Sequence, residues 1–169
     1  QKVNFDYEED RLITLGDYVD GYSQSYEVIE ELLKIKNLIP LLGNHDLVFR
    51  NYLQRGIHEL HWEHGAAKTA ESYARFADRE IRIQNTFNGW DINLTSVDVP
   101  DTHRDFFNKL LPYYLENDNL FVHAGINRHI PITEQNINVL VWDRDFFSSA
   151  CSHYDTDREY KNDFQKVFL

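Results

Sequence analysis

The sequence predicts an α/β fold whose polar residues collect at one edge of a parallel sheet. Residues 12–15 and 38–42 are short apolar runs, typical of buried strands, and the stretch between them has helical periodicity. A right-handed crossover makes two such strands parallel, so that their carboxyl ends meet at one edge, where α/β sheets bind ligands. We therefore expect one cleft to hold the side chains that follow these strands, namely Asp17, Asn44, His45 and Asp46.

The composition limits the class of protein to which this sequence can belong. The 169 residues are 42% hydrophobic, which suits a single folded domain with a buried core. The formal charge of −11 argues against nucleic acid or an anionic membrane as partner, because both attract Lys and Arg. Cys151 is the single cysteine, which excludes an internal disulfide and fits a reducing compartment. No apolar run reaches the roughly 18–20 residues of a membrane span, so we expect a soluble, cytoplasmic protein.

The two ends of the sequence suggest a segment of a longer chain. It opens on Gln1, contains no Met, and closes on the apolar residues 167–169, which resemble a strand cut short. We interpret residues 1–169 as one domain truncated at both ends.

The first half of the chain alternates strand and helix. The strand over residues 12–15 ends at Gly16, where glycine permits a sharp turn. Ser23 or Ser25 is the predicted N-cap of the following helix. The second strand, residues 38–42, is apolar almost throughout, as expected for a strand covered on both faces. The predicted apolar face of the helix, at a spacing of 3.6 residues, consists of Val28, Ile29, Leu32 and Leu33.

The rest of the chain predicts three more helices and a third strand. The helices are expected after Asp46 through Leu53 with an end at Gly56, over residues 66–76, and over residues 102–111 with Asp101 or Thr102 as cap. Their buried residues are predicted to be Ala67, Ala70, Tyr73 and Ala74, then Phe106, Phe107, Leu110 and Leu111. A buried strand over 120–122 leads into His123, and a fourth apolar run covers 139–142. Residues 78–101 show no clear pattern.

Three blocks share one design, a strand followed by a polar side chain with a small residue beside it. Asp17, Asn44 and His123 supply a carboxylate, an amide oxygen and an imidazole, the mixture that suits manganese, iron, zinc or nickel. Each residue alone is more often a turn or cap residue than a ligand. Three of them in this order, with the spacing of a β-α-β unit, favour a metal site.

These blocks carry a resemblance to a known family. Residues 16–20 read G-D-Y-V-D, residues 43–46 read G-N-H-D, and residues 123–125 read H-A-G. They resemble the calcineurin-like metallophosphoesterases, in particular the serine/threonine protein phosphatases of bacterial and phage type. Weaker similarity covers 62–73 and 142–144. The resemblance implies an α/β fold with a metallophosphoesterase-type β-sandwich core and flanking helices, in four layers α/β/β/α, present here in part.

The resemblance also implies a set of metal ligands. Asp17 would bridge two divalent metal ions, and Asn44 and His123 would bind the second of them. Manganese is expected, with iron, zinc or nickel as the alternatives. In such a site a hydroxide that bridges the metals attacks phosphorus in line.

The remaining implied roles concern the leaving group and the phosphate. His45 would be the general acid that protonates the leaving alcohol, and Asp46 would orient it. Arg144 and Asn44 would bind the substrate phosphate, Arg144 through its two-pronged guanidinium. Together these roles describe a metal-dependent phosphoester hydrolase, and the expected substrate is a phosphoprotein or a small phosphoester, with no nucleic acid or membrane partner.

The sequence departs from the family pattern at three places. The first D-x-H motif and the last G-H motif are absent, so Asp17 is the only ligand here for the first metal. Gly21 stands where the family has Arg, so one phosphate-binding group is missing or comes from elsewhere. Two alternatives to a serine/threonine phosphatase stay open: a diadenosine tetraphosphate or other nucleotide phosphohydrolase, and a non-catalytic module that binds phosphate or metal.

The other candidate residues have simpler interpretations. His58, His61 and His64 do not follow the H-E-x-x-H pattern of a zinc site, and a cap over the cleft is the favoured role of their loop. Cys151 lacks the C-x-x-x-x-x-R loop of cysteine phosphatases. We expect His103, His129 and His153 at the surface.

Overall fold

The structure is a computed structural model that describes residues 3–56, 65–87, 89–154 and 164–169. Helices and short strands alternate along it, which confirms the predicted α/β class. The elements are β1 (Arg11–Thr14), α1 (Ser25–Leu32), β2 (Asn37–Pro40), α2 (Asn44–Arg55), α3 (Ala66–Ala74), β3 (Ile83–Thr86), β4 (Gly89–Ile92), α4 (Asp101–Lys109), β5 (Tyr113–Glu116), β6 (Asn119–Val122), α5 (Ile137–Trp142), α6 (Asp145–Tyr154) and β7 (Lys166–Phe168). None of the helices in these ranges is both long enough and apolar enough to cross a bilayer.

The predicted β-α-β unit is present. β1 and β2 pair in parallel, with Leu12 opposite Leu38, and α1 connects them. Beyond β2 the chain continues to pair: Leu42 donates its N–H to the carbonyl of Leu111 at 2.8 Å, and Leu111 donates to Pro40 at 3.0 Å. This bridge connects the sheet of β1 and β2 to the segment that leads into β5. It therefore fixes the position of the ends of these two strands relative to that segment.

The other strands form two further sheets in the described part of the chain. β3 and β4 are an antiparallel hairpin, which lies in the region where the sequence showed no clear pattern. β6 is the central strand of the third sheet, antiparallel to β5 and parallel to β7. The apolar run at 167–169 therefore does contribute a strand, as predicted.

The core lies between the helices, and its largest members are aromatic. Phe49 of α2 packs edge-on against Phe107 of α4, with ring centres 5.0 Å apart, and lies 5.8 Å from the ring of Tyr73 in α3. The predicted faces of α3 and α4 are largely correct. In α1 the prediction is only half right: Ile29 is fully buried, whereas Val28 is 41% and Leu33 44% exposed.

Several predicted element boundaries need correction. Gly56 does end α2, with a left-handed φ of 65°. Neither serine caps α1, because the residue before the helix is Gln24 and no side-chain cap bond forms. Pro100 precedes α4, so Asp101 and its neighbour lie inside the first turn. The apolar run 139–142 lies within α5.

His103 is buried, contrary to the expectation that it lies at the surface. Its side chain has no exposed surface, and it contacts Glu30 through Nε2 at 2.8 Å and the Tyr73 hydroxyl through Nδ1 at 3.0 Å. Because a carboxylate only accepts, Nε2 donates to Glu30, and a neutral ring then accepts from Tyr73. Burial lowers the pKa of His103, although Glu30 acts in the opposite direction. His103 therefore joins α1, α3 and α4 as a neutral structural residue. His129, by contrast, is exposed.

Candidate metal centre and active site

The turns after β1 and β2 touch each other at two glycines. Gly16 has a φ of 98°, and a Cβ placed on it would lie 2.4 Å from the backbone nitrogen of Gly43. A Cβ on Gly43 would lie 2.2 Å from Oδ1 of Asp17. Glycine is therefore required at both positions, because the two backbones approach more closely than any side chain permits.

Replacement of Gly43 by alanine tests this close approach. In Gly43→Ala the new methyl group displaces the Asp17 carboxylate and the adjoining backbone, and overpacking of this kind costs about 1–3 kcal/mol. We expect a lower free energy of unfolding in urea and weaker binding of Mn²⁺ in calorimetric titrations. Gly21→Ala is the matched control, because nothing lies within 4 Å of a Cβ there. Equal behaviour of the two variants would contradict the packing of the turns.

Three predicted ligands converge above these turns. Nε2 of His123 lies 2.9 Å from Oδ1 of Asn44 and 3.5 Å from Oδ2 of Asp17. Nδ1 of the same ring lies 2.6 Å from the carbonyl oxygen of Leu15, to which it donates. Nε2 thus faces two side-chain oxygens. With its proton removed it would present a lone pair beside theirs, and the three atoms could then bind a cation.

The chemistry of these donors fits a divalent ion. Imidazole, amide oxygen and carboxylate together suit manganese, iron, zinc or nickel. In the described ranges no three His, Cys, Asp or Glu side chains cluster as metal ligands, so the amide of Asn44 is the third donor here. Asp17, Asn44 and His123 lie together as the sequence analysis expected, and their binding of metal stays a prediction.

Asp46 holds the two turns together. Its carboxylate is fully buried and accepts three backbone N–H groups: Oδ2 from Gly43 at 2.8 Å and from Asp17 at 2.7 Å, and Oδ1 from Tyr18 at 2.9 Å. Burial raises the pKa of Asp46 to about 7, while the three N–H donors oppose that rise. Asp17 has a left-handed φ of 59°, unusual for a residue with a side chain, and the bond to Asp46 fixes it there.

The carboxylate bonded to His45 is Asp20, not Asp46 as the sequence analysis expected. Nδ1 of His45 lies 2.9 Å from Oδ2 of Asp20, whose side chain is only 2% exposed. The hydrogen bond to Asp20 raises the pKa of His45, partly opposed by burial. The sequence reasoning did not single out Asp20 as a site residue, although it is the second carboxylate of the G-D-Y-V-D block.

The site also lies at the positive end of a helix. Asn44 is the first residue of α2, and the backbone N–H of His45 donates to Oδ1 of Asp17 at 3.3 Å. The free N–H groups of a helix N-terminus attract anions, including phosphate. An anionic substrate at this point would therefore gain from the helix as well as from the metal ligands.

A comparison with known families decides the class of the protein. The family model described as calcineurin-like phosphoesterase matches residues 1–167. The chain belongs to the calcineurin-like phosphoesterases. No match was found among curated proteins or among solved structures. This phosphoesterase is accordingly a hydrolase of phosphoesters in a family that works with divalent metal ions.

Arg144 is the residue directly before α6. Its side chain is exposed and makes no hydrogen bond or ion pair with the residues that the structure describes. The neighbouring Asp143 does not pair with it; Asp143 accepts from the backbone N–H of Asp145 at 2.9 Å and packs against Gly125. Contact between Arg144 and a substrate phosphate stays a prediction for this phosphoesterase.

An open groove of about 530 Å³ adjoins the turn that follows His123. Asp143 lies between the groove and this turn: it lines the groove, and its Oδ2 would lie 2.8 Å from a Cβ on Gly125. The groove is also lined by Trp142, which is 41% exposed, and by Arg128. The predicted cap at 58–64 lies outside the described residues.

Proposed function

We propose that this phosphoesterase is a serine/threonine protein phosphatase that works with two divalent metal ions, manganese by preference. The observation that carries the proposal is the bond between His45 and Asp20 beside the three converging ligands. A carboxylate partner favours the protonated imidazole, which can then donate a proton to a leaving group. His45 therefore has both the partner and the position of a general acid.

A general acid favours phosphoserine or phosphothreonine over a nucleotide as the substrate. The alcohol of phosphoserine or phosphothreonine leaves poorly as an alkoxide and needs a proton as the bond to phosphorus breaks. A nucleotide phosphohydrolase expels a phosphate or nucleotide, which is already stable as an anion and gains less from protonation. The arrangement around His45 thus favours an aliphatic phosphomonoester.

The other residues position the phosphate and the cations. Asp17, Asn44 and His123 would hold the metal. When bound, the ions supply an activated water and neutralise charge on the phosphoryl oxygens. Arg144 and Asn44 would contact the phosphate, while Gly21, which stands where the family has Arg, supplies no such group.

The surroundings agree with a protein substrate. The groove beside Gly125 is open, and Trp142 lines it with a ring that is 41% exposed. An open groove accepts an extended phosphopeptide more readily than it encloses a nucleotide. The charge of −11 and the single cysteine support action in the cytoplasm on phosphoproteins or small phosphoesters, away from nucleic acid and membranes.

A substrate comparison tests the proposal. The protein, loaded with Mn²⁺, is assayed on a phosphoserine peptide and on diadenosine tetraphosphate. We expect kcat/KM to be at least about tenfold higher for the peptide, which corresponds to about 1.4 kcal/mol of transition-state stabilisation. Preference for diadenosine tetraphosphate would favour the nucleotide hydrolase. No metal-dependent turnover on either substrate, or on para-nitrophenyl phosphate, would favour the non-catalytic module.

A further inference from the structure

The backbone of Asp20 has an unusual conformation, and it is hydrogen-bonded to a threonine of α3. Its φ is 72°, a left-handed value that a residue with a side chain rarely adopts. Its backbone N–H donates to Oγ1 of Thr69 at 2.9 Å, and the Thr69 hydroxyl donates in turn to Oδ1 of Asp20 at 2.5 Å. Thr69 lies in the first turns of α3 and is fully buried. Main chain and side chain of Asp20 are thus both held by one hydroxyl.

Thr69 and His45 form hydrogen bonds with different oxygens of the Asp20 carboxylate. Oδ1 of Asp20 accepts from Thr69, while Oδ2 lies 2.9 Å from Nδ1 of His45. A hydrogen bond to each oxygen fixes the rotation of the carboxylate. The plane of that carboxylate in turn determines where the His45 ring points.

α3 is placed to deliver this hydroxyl. It begins directly after Gly65, which has a φ of 114° and contacts Asp20 so closely that a Cβ would lie 2.3 Å from the Asp20 carbonyl oxygen. Asp17 offers a parallel, since it too is left-handed and is fixed by a buried side chain, Asp46. Each left-handed aspartate of this turn therefore has its own buried anchor.

We propose that Thr69 is a positioning residue for the general acid His45 and acts through Asp20. The inference rests on the proposed function, because it assigns Thr69 a part in the protonation of the leaving alcohol. Without the hydroxyl, Oδ1 of Asp20 loses its bond from Thr69, the carboxylate is held less firmly, and His45 spends less time aligned with the leaving oxygen. The loss is therefore specific to substrates that need the proton.

The experiment compares leaving groups across variants of the protein with Mn²⁺. Thr69→Val and Thr69→Ala remove the hydroxyl and Thr69→Ser retains it. The readout is the ratio of kcat/KM for phenyl phosphate to that for para-nitrophenyl phosphate, whose leaving group needs little protonation. We expect the ratio to fall about tenfold in Thr69→Val and Thr69→Ala, a part of the 10²–10⁴-fold that a general acid contributes. Thr69→Ser should retain the wild-type ratio.

Two controls separate this role from simple stability. Ser72→Ala removes another fully buried hydroxyl of α3, one that accepts from the backbone N–H of Tyr26 at 2.8 Å, and it should leave the ratio unchanged. In a His45→Asn background, Thr69→Val should cause no further fall in the ratio, because the residue through which it acts is gone. A fall that persists in that background, or an equal loss on both substrates, would overturn the proposal.

A measurement that needs no turnover completes the test. In wild-type protein the His45 Nδ1–H, bonded to Asp20, should exchange slowly with solvent in nitrogen-15 NMR spectra. It should exchange faster in Thr69→Val and Thr69→Ala, and at the wild-type rate in Thr69→Ser and Ser72→Ala. Unchanged exchange in the first two variants would overturn the positioning role. Absence of phosphatase activity in the wild type would instead count against the proposed function and leave this result intact.

Discussion

Asp17→Asn is expected to remove most metal binding while the fold survives. The substitution replaces a carboxylate that would bridge two cations by a neutral amide with one ligating oxygen. Asparagine tolerates the left-handed φ of 59° at this position about as well as aspartate, so the backbone turn should persist. The loss therefore falls on the cations and not on the structure. Because metal ions contribute several kcal/mol to such reactions, we expect kcat to fall about a thousandfold.

Calorimetric titration of chelator-treated protein with Mn²⁺ measures this effect directly. Thermal unfolding, recorded alongside, should show a midpoint close to that of the wild type. Asp105→Asn serves as the matched control, since Asp105 is exposed on α4 and should not affect binding. Retention of both ions at wild-type affinity in Asp17→Asn would contradict the role of Asp17 as bridging ligand.

His45→Asn is expected to slow the reaction on poor leaving groups far more than on good ones. A positioned general acid contributes about 10²–10⁴-fold, so kcat on a phosphoserine peptide should fall within that range. On para-nitrophenyl phosphate the loss should be much smaller, because nitrophenolate leaves without a proton. The hydrogen bond to Asp20 raises the pKa of His45, which favours the protonated imidazole that a general acid requires.

A series of aryl phosphates gives the quantitative form of this test. The dependence of log kcat on the leaving-group pKa should steepen in His45→Asn. His129→Asn, at an exposed histidine outside the converging ligands, should leave the slope unchanged. Equal losses on all members of the series would show that His45 acts in some way other than proton donation.

The meeting of Asp17 and Asn44 could be predicted because the topology of the first sheet requires it, whereas His123 follows a strand of another sheet. Parallel strands joined by a crossover end at the same edge, so Asp17 and Asn44 had to be neighbours once β1 and β2 paired. The partner of His45 could not be predicted in the same way. Asp46 follows His45 in sequence, but consecutive residues of a helix point about 100° apart, so Asp46 enters the core while His45 faces Asp20. That pairing depends on the left-handed turn at Asp20, which no periodicity reveals.

Errors elsewhere have equally local causes. The four apolar residues at 139–142 are too few to distinguish strand from helix by pattern, and they lie in α5. His103 is polar, yet Tyr73 and Glu30 form hydrogen bonds with both of its ring nitrogens, and these bonds offset the free-energy cost of complete burial. Hydrophobic pattern locates an amphipathic element, whereas the burial of a polar residue depends on partners distant in sequence.

The Asp46 carboxylate has a consequence for how ions enter and leave the protein. It joins the two ligand-bearing turns through main-chain amides, and no cation takes part in those bonds. These three hydrogen bonds form between groups of the protein itself, so their contribution to the joining of the turns is independent of which ion binds. A site on turns joined in this way would allow one divalent ion to replace another while the polypeptide stays folded. The ion bound would then depend on which ions are available.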